Sequence, residues 1–229
     1  MIKDNVIKLK ERVVWACLKA GRKPEEITIV AVSKGRNTEE IKEVISCGIA
    51  DIGENRVQEA LLKFNNKRHA ISDKPKLHMI GHLQTNKVKD AVQIFDLIHS
   101  VDSIHLAQEI NKQASKINKV QDCLIEVKTS PEAAKFGIDP DKAIDFIKEV
   151  QALKNIEIKG LMTIAPAVDN PEQARLYFRQ LRELRDKIYD LRFTNYDLRI
   201  LSMGMSDDFE VAIEEGATMI RLGRAIFEG

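Results

Sequence analysis

At 229 residues the chain is long enough for one large core or two small ones, a range that α/β barrels commonly fill as a single domain. Its 36 basic and 35 acidic residues cancel to a net charge of +1 and are interspersed rather than blocked, which argues against nucleic acid or another polyanion as partner. Cys17, Cys47 and Cys123 fit reduced core thiols better than a disulfide frame or zinc cluster; with no secretory apolar stretch and no run near the ~20 apolar residues of a membrane span, the expected compartment is the cytoplasm.

Apolar residues at Val6, Leu9, Val13, Val14, Cys17 and Leu18 fall at helical spacing until Gly21 and Pro24 end the pattern, so the first element is an amphipathic helix. Strand-like and helix-like segments then alternate. ITIVAVS (27–33) precedes a helix over Thr38 to Cys47, IADIGE (49–54) one over Asn55 to Phe64, and KLHMIGH (76–82) one over Thr85 to Ala91. FDLIHS (95–100) leads to a helix from Ser103 to about Lys116, and DCLIEVK (122–128) to one from Pro140 to Leu153. The last strands are IEIKGLMTI (156–164), LRILSM (198–203) and TMIRLG (218–223), separated by helices from Pro171 to about Tyr189 and from Asp207 to Glu215.

Eight strands of nearly continuous apolar character are what a parallel sheet covered on both faces produces. An eightfold β/α (TIM) barrel is the simplest architecture, with the whole chain, 1–229, as one domain. A doubly wound open sheet is the runner-up, but it leaves two edge strands. Few residues follow the eighth strand, so the opening helix is expected to cover that part of the barrel and the first and last strands to be neighbours.

In such a barrel the working residues follow the strands. Lys34 ends the first strand; a lysine partly desolvated at a barrel mouth can attack an aldehyde as the neutral amine, although a solvated strand cap is the plain alternative. LSMGMSDD after strand seven and RLGRA after strand eight offer backbone N–H groups from adjacent turns to one phosphate, involving Ser202, Gly204, Gly223 and Arg224. Arg221 lies inside the last strand, where burial needs an acceptor such as a pyridine nitrogen; otherwise it turns outward to Glu214 or Glu215. A lysine and a phosphate cup of this kind suggest pyridoxal 5'-phosphate held as a Schiff base. His78 and His82 are four apart but strand-borne, so a metal site is not expected. The helical face RQLRELRDK around Leu181 reads as a solvated surface with helix-internal ion pairs.

VAVSK, GENRVQE, HMIGHLQTNK, the KFG of Lys135 to Gly137, GLMTI, LSMGMSDD and RLGRAIF occur in order from about residue 27 to 227. Together they resemble the motifs of the YggS/PROSC family of pyridoxal phosphate homeostasis proteins. The resemblance implies a barrel like the N-terminal domain of alanine racemases, covalent attachment of the cofactor at Lys34, phosphate held by Ser202 with the backbone at Gly223 and Arg224, and Arg221 facing the pyridine nitrogen. Asn55, His78 and Met162 match motif positions that line the family's pocket, Met162 against the ring. Lys128 stands where the family often has asparagine, and the ending Ile226, Phe227, Glu228, Gly229 lacks a short tail that often follows.

The resemblance implies a non-catalytic carrier or buffer of pyridoxal phosphate whose recipients would be pyridoxal-phosphate-dependent apo-enzymes; a monomer is the default expectation because no swapping or dimerising segment is visible. The alternative is a racemase of low activity. Racemisation needs a base on each face of the substrate carbon. Tyr177, Tyr189 and Tyr196 all lie on or after the sixth helix rather than at a strand end, and an arginine at the ring nitrogen makes a poorer electron sink than an acidic partner would. A Schiff-base aldolase would share the lysine and phosphate cup but place its lysine on a later strand.

Overall fold

The computed structural model describes residues 1–64, 75–130, 132, 136–192, 194 and 196–229. Lys135, the first residue of the KFG motif, lies outside them. Eight parallel strands close on themselves in sequence order: β1 (Thr28–Val32), β2 (Asp51–Glu54), β3 (Lys76–Met79), β4 (Leu97–Val101), β5 (Gln121–Glu126), β6 (Ile156–Met162), β7 (Ile200–Ser202) and β8 (Met219–Leu222). The closing seam pairs Thr28 with Met219 and Val30 with Arg221, so the first and last strands are neighbours, as expected.

Around the barrel run α1 (Ile2–Lys19), α2 (Thr38–Ser46), α3 (Val57–Phe64), α4 (Val88–Ile94), α5 (Ile104–Ser115), α6 (Ala143–Val150), α7 (Arg175–Leu191), α8 (Phe209–Glu214) and a single turn, α9 (Arg224–Phe227). The opening helix covers its expected place, packing on α2, α8 and α9. After β8 comes only the single turn α9, in keeping with the few residues left there, and Asn5 ties it to α1 by donating from Nδ2 to the Ile226 carbonyl at 3.1 Å. Local chemistry sets the boundaries. Asn37 accepts from the Glu40 N–H while Glu40 accepts from the Asn37 N–H, a reciprocal cap that starts α2, and the Ser103 hydroxyl accepts from the Leu106 N–H to start α5.

Strand alternation divides the apolar side chains into two sets. Ala31, Ile52, Leu201, Ile220 and Leu222 join the buried faces of the helices in the main core. Their neighbours Val30, Leu97, Leu124, Met162 and Met219 form a second, smaller cluster inside the barrel. No helix among the described residues is long and apolar enough to cross a membrane.

The basic face of α7 differs from expectation. Arg175, Arg179 and Arg182 all reach across to the buried carboxylate of Glu215 at 2.9–3.1 Å, and Arg175 also meets Glu214 at 2.6 Å. These are inter-helix ties pinning α7 to the end of α8. They occupy the two glutamates that Arg221 would have met had it turned outward.

Candidate functional site

The turn after β1 carries Lys34 and is clamped from behind. Lys63, one helical turn beyond Glu59 on α3, donates from Nζ to the Ser33 carbonyl at 2.6 Å and to Glu54 and Glu59 at 2.7 Å each. Ser33 donates its hydroxyl to Glu54 Oε1 at 2.5 Å, and the Gly35 N–H donates to Glu59 Oε1 at 2.6 Å. Glu54 is fully buried, and burial pushes its carboxyl above the usual range despite Lys63 and Ser33. Gly35 sits at φ +71°, a backbone conformation that costs glycine little. The lysine between these anchors is exposed rather than sheltered as expected, and no described residue bonds its amine.

Beside it opens a cavity of about 460 Å³ lined by Lys34, Asn55, Val57, Met79, Gly81 and Lys87 among others. A side chain at Gly81 would collide with the Asn55 backbone carbonyl at 2.5 Å, so the glycine lets two strand ends approach closely. His82, at the rim, stacks on Phe136 with ring centroids 3.7 Å apart and meets Asp102 at 3.4 Å. The two imidazoles considered as a pair therefore turn to different partners, because His78 faces the barrel interior.

Beyond β7 and β8 two turns are cross-linked. Arg224 forms an ion pair with Asp207, and the Ser206 hydroxyl accepts from the Ala225 N–H at 3.2 Å. Gly204 adopts φ +95°, and an added Cβ would lie 2.7 Å from the Ala212 side chain; its carbonyl accepts from the Arg221 N–H at 3.0 Å. Gly223 lies across the seam from Val32, a Cβ there reaching the Val32 Cβ at 3.6 Å. The Lys34 turn and the β8 turn thus rise from adjacent strands.

Arg221 is only 4% exposed. It donates from Nη1 to Ser202 Oγ at 2.7 Å and from Nη2 to the Thr163 carbonyl at 2.9 Å. Burial lowers its pKa to about 10, while Glu126 and Asp208 act in the opposite sense. Glu126, at the end of β5, is itself raised to about 7 by burial and then by Asp102, with Arg221 opposing. Below Ser202, its hydroxyl lies 3.1 Å from His99 Nδ1, His99 Nε2 lies 2.9 Å from His78 Nδ1, and His78 Nε2 lies 2.9 Å from Asp51. Burial, then the neighbouring His78 and Arg221, holds His99 well below the usual imidazole range.

The residues expected at the site divide accordingly. Lys34 and Asn55 share the mouth cavity, and Gly223 and Arg224 lie on the adjoining turn. Arg221 and Met162 lie within the barrel interior, while Ser202 is fully buried and engaged by Arg221 and His99. His78 is corrected outright: it lines the cavity at the opposite end of the barrel with Asp51, since its strand position falls nearer the N-terminal ends. Lys128 is half-buried, its N–H bonded to the Ile138 carbonyl at 2.9 Å. Sequence reasoning overlooked His99, Glu126 and Lys63, and it favoured Ser202 over Ser206 within the LSMGMSDD turn. Polar residues interrupting the apolar runs FDLIHS and DCLIEVK were the available signal for the first two.

Over residues 3–229 the chain matches the family profile described as alanine racemase, N-terminal domain. It is 46% identical over 225 residues to the pyridoxal phosphate homeostasis protein of Aquifex aeolicus, covering 98% of this chain and 96% of that protein. The protein of the same name from Escherichia coli K12 is 34% identical over 227 residues, covering 99% and 95%. Among solved structures, PipY of Synechococcus elongatus with PLP bound is similar at a TM-score of 0.86 and 32% identity, covering 99% of this chain and all of that one. An alanine racemase of Clostridium difficile shares the fold at a TM-score of 0.77 and 16% identity, and the match spans 56% of that longer chain.

Proposed function

Because the chain belongs to the alanine racemase N-terminal domain family and, within it, to the pyridoxal phosphate homeostasis proteins, we propose that it binds pyridoxal phosphate through Lys34 and holds or delivers the cofactor rather than using it for turnover. The observation that carries this reading is the placement of Lys34. It is an amine with no partner among the described residues, on a clamped turn, beside a cavity, with the β8 turn on the next strand. The same reading takes the compartment to be the cytoplasm, which three unbridged cysteines support, and the working unit to be a monomer serving apo-enzymes.

The residues present fit this ligand. Pyridoxal phosphate supplies an electrophilic aldehyde, an aromatic ring with one basic nitrogen, and a phosphate. Among the described residues only two of the five N–H donors of Arg221 are spent on protein, so the guanidinium can face the ring nitrogen without giving up its anchors. Ser202 is committed to Arg221 and His99, which makes Ser206 the better hydroxyl for the phosphate, together with the backbone at Gly223 and Arg224. Met162 supports the ring from the interior cluster, and Asn55 borders it from β2.

Absorption spectroscopy tests the assignment. The protein incubated with pyridoxal phosphate gains a visible band that remains after gel filtration, and Lys34→Ala abolishes it; a wild-type protein that stays colourless defeats the reading. A racemase would exchange the α-proton of an amino acid into deuterated solvent at enzymatic rates, on the order of 1–10³ per second. The carrier reading expects no such turnover.

A further inference from the structure

The interior of the barrel holds a continuous line of polar groups running from Arg221, near the mouth, to Asp51, which borders the cavity at the opposite end. Donor and acceptor roles along it can be worked out from chemistry alone. A guanidinium has only donors, so Ser202 Oγ must accept from Arg221. Among the described residues the serine hydrogen then has a single available acceptor, His99 Nδ1, because this fully buried hydroxyl makes no other bond there. His99 therefore carries its hydrogen on Nε2 and donates to His78 Nδ1. His78 in turn carries its hydrogen on Nε2 and donates to Asp51, whose ionised carboxylate can only accept.

Reversing the line is possible on paper. His78 would donate from Nδ1 to His99, and His99 from Nδ1 to Ser202. The serine would then accept twice, and its own hydrogen would be buried without an acceptor. An anionic terminus at Asp51 disfavours that reversal, since a carboxylate has no hydrogen to offer His78 Nε2.

We propose that Asp51 is a remote positioning residue for Arg221: its carboxylate sets the direction of the hydrogen bonds through His78 and His99, so that His99 Nδ1 takes the hydrogen of Ser202 and the serine, accepting from the guanidinium, keeps no unpaired hydrogen buried beside it. Charge of both signs surrounds Asp51, from Glu26, Lys76, Asp96, Asp122, Lys159 and Arg199 lining the same cavity of about 520 Å³. Those groups are at the surface and outside the line. His78 and His99 are its only imidazoles, and their hydrogen positions report its direction. The consequence for the cofactor rests on the reading that Arg221 faces the ring nitrogen.

The test is ¹⁵N–¹H correlation spectroscopy of the histidine rings in the full chain without ligand, at about pH 8, where an unperturbed imidazole is neutral. The wild type shows His78 and His99 both neutral with hydrogen on Nε2. Asp51→Asn supplies an amide that can donate to His78, so His99 gains a population with hydrogen on Nδ1, and Asp51→Glu returns the wild-type pattern. Ser202→Ala gives a second reading: His78, still directed at Asp51, continues to accept the hydrogen of His99 Nε2, so both rings keep their wild-type tautomers without the serine. A wild-type His99 with its hydrogen on Nδ1, or an Asp51→Asn protein whose His99 signals do not move, overturns the proposal.

Titration with pyridoxal phosphate is read separately. Asp51→Asn shifts the bound absorption maximum and weakens retention roughly fivefold, and Asp51→Glu restores both. Unchanged binding and spectrum despite a changed His99 tautomer also overturn the positioning role. A wild type with the expected tautomers that takes up no cofactor defeats the cofactor reading instead, and the ligand-free spectra still decide the direction of the line.

Discussion

Glu59 reaches back from α3 to accept the Gly35 N–H at 2.6 Å while accepting from Lys63 at 2.7 Å, so the residue that follows Lys34 is fixed by a side chain two elements away. The same ammonium group partly neutralises Glu54, which is fully buried and has one oxygen, Oε2, without a partner. Lys63→Met leaves that carboxyl uncompensated and is expected to cost about 3 kcal/mol, read as a lowered urea midpoint. Adding Glu54→Gln should recover part of the loss. If Lys63→Met alone unfolds at the wild-type midpoint, the clamp contributes nothing.

Glu126 gives the protein a pH dependence of defined sign. Its folded pKa of about 7 lies above its ordinary value of 4.5, so the folded state holds this proton more tightly than the unfolded one. Its contribution is therefore most favourable at acid pH and declines as pH rises from about 4.5 through about 7, by on the order of 3 kcal/mol in total. Glu126→Gln should flatten this part of the stability profile and be the more stable form at pH 8. Parallel wild-type and variant profiles between pH 5 and pH 8 would count against it.

On the proposed reading Ser202 and Ser206 are alternative hydroxyls for the phosphate, and substitution separates them. Ser206→Ala removes one hydrogen bond to a charged group, worth about 1.5–3 kcal/mol, so retention of pyridoxal phosphate should weaken at least about tenfold with the spectrum of the bound ring unchanged. Ser202→Ala should instead change the spectrum through Arg221. Equilibrium dialysis with absorption spectroscopy distinguishes the two outcomes, and equal affinity for wild type and Ser206→Ala removes Ser206 from the site.

Gly81→Ala would place a carbon 2.5 Å from the Asn55 carbonyl oxygen and about 3 Å from two further backbone atoms. Backbone on both sides leaves no flexible side chain to give way, so the β2 end must shift. We expect a stability loss of about 1–3 kcal/mol and weaker cofactor retention. Wild-type behaviour in both assays would mean that the mouth accommodates the change.

The barrel was legible because its strands are buried on both sides, which writes each as an apolar run that needs no partner to be recognised. Lys34 was legible for the same reason, as a charge ending such a run. What escaped depends on contacts between residues far apart in the chain. His78 was weighed against His82, four residues away, whereas its partner is His99 on the neighbouring strand. Ser202 and Ser206 sit in one short motif, and only the strand's alternation, ending after Ser202, turns the first into the interior and leaves the second at the turn. The arginines of α7 looked like a solvated face because their acceptor, Glu215, follows a different helix.

The seam between β1 and β8 has a consequence for biosynthesis. Thr28 and Ile29 pair with Met219 and Ile220, and Val30 and Ala31, which also pair with β2, find their second partner in Arg221 and Leu222, so while the ribosome is still making the intervening chain, Ile29, Val30 and Ala31 present a bare apolar edge. Contacts of such long sequence separation form late and slowly, and an unprotected strand edge invites pairing with another nascent chain. Expression yield should therefore respond to chaperone supply more strongly than the stability of the finished barrel would indicate.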